Sequence, residues 1–164
     1  MKERKGYMRL YASQASTLKD ARNTLTQRVQ GPSCEGSVEM EVTGLKDGNI
    51  AGFGIFEFPY AYVAIRQESG RRKIVMCNDG KDIETVEHFN GDKLWIRGRA
   101  TDKEFKALFY YSLDGVNYKR IGNELQMGLG LPWTANRFAL FNFNTTPQGN
   151  NGYADFNWFR FTNK

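Results

Sequence analysis

The chain has 164 residues, a length that one hydrophobic core serves without splitting into domains. It is 40% hydrophobic and 14% aromatic, so a packed core needs neither disulfides nor metal, and 17 Gly against 4 Pro suits short strands joined by tight turns better than long helices or a disordered tail. The formal charge of +5 is spread among interleaved acids and bases with no long basic stripe, and no run of about 18 apolar residues occurs, which argues against nucleic-acid and membrane partners.

Residues 1–24 are polar and weakly patterned, with Tyr7, Leu10, Tyr11 and Leu18 as the sizeable apolar groups. They predict a linker or entry segment ahead of a domain over 25–164. The opening Met-Lys-Glu-Arg-Lys is followed by no apolar run, so no signal peptide is expected in this chain; a parent protein is either cytoplasmic or exported. The basic runs Lys2 to Lys5 and Arg71-Arg72-Lys73 are expected to be solvated surface.

From Leu25 onward, short period-two runs alternate with turn residues. Ser37 to Val42 places its apolar side chains on one face and Glu39 and Glu41, expected to be solvated, on the other. Lys46-Asp47-Gly48-Asn49 is a turn. Ile50 to Phe58 follows, where Gly52 and Gly54 leave space on one face while Phe53 and Ile55 fill the other, until Pro59 ends it. Tyr60 to Gln67 and Lys73 to Cys77 predict a hairpin around a loop of about five residues, Glu68 to Arg72. Ile83 to Glu87, Lys93 to Arg99 and Phe105 to Ser112 continue the pattern. Asp114-Gly115 is the strongest turn signal, since Gly takes positive φ and Asp bonds its own backbone; Asn117 to Ile121 is the returning strand. An irregular stretch, Glu124 to Asn136, precedes the strands Arg137 to Phe143 and Tyr153 to Phe161. Ten or more strands without helical period need a second layer, so the expected fold is all-β: a two-sheet antiparallel β-sandwich, jelly-roll-like or concanavalin A-like.

Chemistry is sparse. His88 is the only histidine and is read as a surface or satisfied residue. No nucleophile elbow, phosphate loop or zinc motif occurs; Cys34 and Cys77 are read as small buried residues, with a single bridge as the alternative. Hydrolysis of a glycosidic bond needs two opposed carboxylates, and the Glu-x-Asp-x-x-Glu strand of sandwich glucanases is absent. Glu57, among aromatic residues, is the best functional acid, but it stands alone. Sugars stack their C–H faces on aromatic rings, which makes Phe56, Phe58, Tyr60 and Trp133 carbohydrate-contact candidates beside Glu57, although core or loop packing competes at each. Asp155 lies in an apolar strand and must be paired or ligating; hydrogen bonding is the first reading and a structural calcium the second.

Three segments in order carry a resemblance: Tyr110 to Gly122, Arg137 to Phe143 and Gly152 to Phe159, with Asn23 to Arg28, Gly31 to Cys34 and Gly44 to Gly48 upstream. Over roughly 23–162 the chain is similar to the C-terminal β-sandwich of glycoside hydrolase family 43 β-xylosidases and α-L-arabinofuranosidases. The resemblance implies no catalytic acids in this chain and a catalytic propeller domain of the same parent as partner; no cofactor is expected, apart from the structural calcium considered at Asp155. In some members such a domain lends a loop and an aromatic side chain to the pocket rim, for which Phe56 to Tyr60 and Leu131-Pro132-Trp133 are the candidate segments. The leading reading is an accessory domain of a hydrolase acting on xylan- or arabinan-derived oligosaccharides. An independent carbohydrate-binding module and a self-contained sandwich glycosidase are the alternatives.

Overall fold

The computed structural model describes residues 3–101, 103–129, 135–147 and 149–163. The period-two runs form strands, and the apolar set of each turns inward. In chain order these are β1 (Met8–Tyr11), β2 (Ser13–Gln14), β3 (Thr24–Arg28), β4 (Ser33–Glu41), β5 (Asn49–Phe56), β6 (Ala61–Glu68), β7 (Arg71–Asn78), β8 (Lys81–Val86), β9 (Lys93–Thr101), β10 (Lys106–Ser112), β11 (Lys119–Gln126), β12 (Arg137–Asn144) and β13 (Tyr153–Asn163). One sheet has the order β1-β13-β4-β9-β10-β11; the other runs β2-β12-β5-β6-β7-β8, with β3 also on β12. All pairings are antiparallel except the two-residue contact of β2 with β12. The chain therefore has the expected concanavalin A-like sandwich, whose edge strands are β1 and β11 in one sheet and β2, β3 and β8 in the other.

The core fills the space between the sheets. Val38 and Met40 of β4, Phe53 and Ile55 of β5, Leu94 and Ile96 of β9, Phe109 of β10 and Phe138 of β12 are all fully buried there. Phe53 stacks on Phe138 with ring centroids 5.4 Å apart. Gly52 and Gly54 do not open space as expected. A Cβ at either would lie 2.3 Å from a carbonyl oxygen of β6, of Val63 and of Ala61 respectively, so glycine is what lets the two strands approach. A second apolar cluster covers the outer face of the seven-stranded sheet, where Ala15 and Leu18 lie over Ile50, Tyr62, Phe141 and Phe143.

Three further local expectations change. The five-residue loop before Lys73 is a two-residue turn: Glu68 pairs with Arg71, and Ser69 and Gly70 both take positive φ (49° and 72°), which matches the twist of the strands and turns Arg71 and Arg72 into strand residues. Residues 1–24, expected as a linker or entry segment, contribute β1 at one sheet edge and β2 on the other sheet; edge strands expose a face and an edge to water, so polar composition conceals them. Glu39 and Glu41 are not solvated carboxylates. Glu39 is 8% exposed and takes Lys93 at 2.8 Å and the Trp158 indole N–H at 3.0 Å, while Glu41 takes the Arg4 guanidinium at 2.9 and 3.0 Å, because cations and aromatic rings cover this outer face. Burial opposes ionisation of Glu39, but Lys93 and the neighbouring N–H donors outweigh it and hold the carboxyl below its usual range.

Candidate functional site

The candidate residues from the sequence land in three places. The first is the end of the sandwich where β5 finishes and β6 begins. Phe56 is the last residue of β5, pairs with Arg137 and packs its ring against the outer-face cluster. Glu57 is half-buried at the turn. Phe58 is 51% exposed, with Lys19 Nζ 4.9 Å above its ring, so the ring presents an apolar face beside a cation. Trp133 lies outside the described residues. The chain flanking it does not: a Cβ on Gly128 would meet the Phe58 carbonyl oxygen at 2.1 Å, and the Asn136 amide donates to the Gly128 carbonyl at 2.7 Å. The strand end holding Phe58 and both arms of the 128–136 segment thus meet at one end of the fold, and Leu129, 79% exposed, adds apolar surface there.

The second place is the outer face of the seven-stranded sheet. Tyr60 is 6% exposed and lies parallel to Tyr62, centroids 6.2 Å apart, so it is wall and floor rather than an open stacking platform. Burial pushes the Tyr62 hydroxyl well above the usual tyrosine range. Both rings line a cup of about 200 Å³ that also takes in Arg66, Asp82, Ser16 and Thr17. Arg66 and Asp82 escaped the sequence analysis. They come from β6 and β8 with β7 between them, and periodicity reports which face a residue occupies but not which strands are neighbours.

The third is Asp155 on β13, which is 2% exposed. Arg9 forks onto it through Nε at 2.8 Å and Nη2 at 2.9 Å, and Arg4 Nη1 adds a third bond at 2.8 Å. Arg4 lies over the Tyr7 ring at 3.6 Å and Arg9 over Tyr153 at 3.7 Å, which fixes both cations. Burial works against ionisation of Asp155, yet the two guanidinium groups prevail and its carboxyl stays below the usual aspartate range. This is a buried ion triad. A calcium ion would have to displace two fixed cations from the same oxygens, and no group of three or more His, Cys, Asp or Glu with metal-holding geometry occurs among the described residues. Arg4, read from sequence as solvated, is thus a structural partner.

The Asp114 turn completes the inventory of unusual acids. Its carboxylate accepts the backbone N–H groups of Val116 and Asn117 and the Ser112 hydroxyl, all at 2.8 Å, and the Asn117 side-chain amide at 2.8 Å. Those donors hold it well below the usual range. All its acceptor capacity goes to the hairpin, so this acid serves structure.

Comparison with known proteins bears on the fold and family. Residues 1–162 match the family described as the β-xylosidase C-terminal concanavalin A-like domain. A β-xylosidase of Formosa agariphila is 29% identical over 143 residues, which is 86% of this chain but 23% of that protein. A bifunctional GH43-CE protein of Bacteroides eggerthii superposes with a TM-score of 0.91 at 40% identity, over 98% of this chain and 21% of its own. A GH43 glycoside hydrolase, engineered to display both endo-xylanase and exo-arabinofuranosidase activity, superposes with a TM-score of 0.83 at 28% identity, over 94% of this chain and 33% of its own. The chain thus spans between a fifth and a third of the length of these three relatives.

Proposed function

The chain belongs to the family of concanavalin A-like C-terminal domains of β-xylosidases, as an accessory and not a catalytic domain, and from that premise we propose that it packs against a catalytic propeller domain of the same parent. The parent is proposed to hydrolyse xylan- or arabinan-derived oligosaccharides, and the Phe58 end of the sandwich to complete the rim of its substrate pocket. The observation that carries this reading is the convergence of Phe58, half exposed, with both arms of the 128–136 segment at one strand end. An exposed aromatic ring whose own backbone is packed closely against Gly128 stands on a fixed base, which is what a sugar-contacting rim requires. Phe58 and Trp133 are the proposed ring contacts, with Glu57 as a hydrogen-bonding acid at the rim; Phe56 and Tyr60 support the turn from behind.

The test is kinetic. In the full-length enzyme that carries this domain, Phe58→Ala is expected to lower kcat/KM on oligosaccharides by about tenfold, the worth of one sugar-stacking contact, and to leave the melting temperature unchanged. Unaltered kinetics in both Phe58→Ala and Trp133→Ala would remove the rim reading while leaving the family assignment intact.

A further inference from the structure

The cup on the outer face of the seven-stranded sheet is not used by the rim reading, and Phe58 does not line it. Its floor is apolar, built from Ile50, Phe143 and the two tyrosine rings. Its wall mixes donors and acceptors. Arg66 reaches across β7 and forks onto Asp82 at 2.6 and 2.9 Å. Glu68 stands 4.0 Å from Arg66 Nε, whose N–H finds no hydrogen-bond acceptor among the described residues. Ser16 and Thr17, from the segment laid over the sheet, and Thr145 add hydroxyl groups.

These groups select a class of ligand. An anion would meet two carboxylates; a cation would meet the guanidinium. A wholly apolar ligand would strip water from the Arg66–Asp82 fork, from the Thr17 hydroxyl that donates to Asp20 at 3.1 Å and from the Thr145 hydroxyl that donates to the Gly48 carbonyl at 3.2 Å, which is costly. A neutral polyol ring suits them better, since its hydroxyls can donate to the remaining lone pairs of Asp82, Thr17 and Thr145 while its C–H groups meet the floor. The volume of about 200 Å³ is below the roughly 300–1,000 Å³ of pockets that enclose drug-sized ligands, so one sugar unit is the fitting size and a chain of several is not. We propose that this cup is a monosaccharide-binding subsite that reads one neutral pentose or hexose unit through Arg66, Asp82 and Thr17. It stands whether or not the Phe58 end serves as a rim.

The experiment is an NMR titration of the ¹⁵N-labelled chain with xylose, arabinose and glucose in turn, with glycerol as the acyclic control. At least one sugar should give saturable shifts at the amides of Thr17, Arg66, Gly80 and Asp82 with a millimolar dissociation constant. Asp82→Asn should weaken that binding about tenfold, the loss of a charge-assisted hydrogen bond. Thr17→Val, which leaves the sheet untouched, should weaken it as well and decides the matter if Asp82→Asn disturbs folding. Absence of saturable shifts at these amides with all three sugars up to about 100 mM, beyond which affinity is negligible, would overturn the proposal. So would equal shifts with glycerol, or binding unaffected by Thr17→Val.

Discussion

Replacing Asp155 by alanine separates the two ways its carboxylate could be satisfied. In the native chain it takes three hydrogen bonds from Arg9 and Arg4 while only 2% exposed. The guanidinium groups are better placed: Arg9 is 21% and Arg4 32% exposed, so on loss of the acid both regain part of their hydration. That relief takes the cost below the 3–5 kcal/mol of a fully buried broken pair, to about 2 kcal/mol. For a chain of this size the melting temperature should then fall by roughly 4–8 °C. The carboxyl is held below its unfolded value, so its contribution is present above the unfolded pKa of about 3.9 and disappears as pH falls through the lower folded value. The wild-type and Asp155→Ala melting curves should therefore differ fully at neutral pH and draw together in acid. Calorimetry at a series of pH values, with and without calcium, makes the measurement. A difference below about 0.5 kcal/mol, the scatter of neutral surface changes, would refute the triad account. A calcium-dependent rise in wild-type melting temperature that vanishes in the variant would refute it too.

Other consequences can be checked independently. Gly54→Val puts a Cβ 2.3 Å from the Ala61 carbonyl oxygen and should cost more than about 2 kcal/mol in denaturant unfolding, because the obstacle is backbone and cannot rotate away. Phe53→Ala removes a fully buried ring stacked on Phe138 and should cost about 3–5 kcal/mol in the same assay. The Asp114 carboxyl should stay ionised at pH values where ordinary aspartates have protonated, as read by side-chain carbon NMR, and Asn117→Ala should bring its titration back toward the usual range. Burial raises the Cys77 thiol, so it should resist alkylation at pH 8 in the native state and react on unfolding.

The fold was largely legible because alternation reports burial directly. Val38 and Met40 against Glu39 and Glu41, and Ala107, Phe109 and Tyr111 on one face of β10, turn inward and outward as the two-residue period demands. The Asp114-Gly115 hairpin was equally plain, since turn chemistry is local. What escaped was long-range. Nothing near Asp155 announces its partners, which lie 146 and 151 residues away in a segment that reads as a polar linker. Glu39 and Glu41 look solvated until the facing Lys93, Trp158 and Arg4 are in place. Around Pro59, sequence could not divide the aromatic residues: Phe58 faces water, Phe56 and Tyr60 pack against the outer-face cluster, and the cup beside Tyr60 depends on two side chains brought together across an intervening strand.

An accessory sandwich leaves glycosidic chemistry to another domain of its parent. The most direct measurement is to incubate the purified chain alone with xylo- and arabino-oligosaccharides and follow released reducing sugar. No turnover above the uncatalysed background is predicted, and hydrolysis by the isolated chain would contradict it.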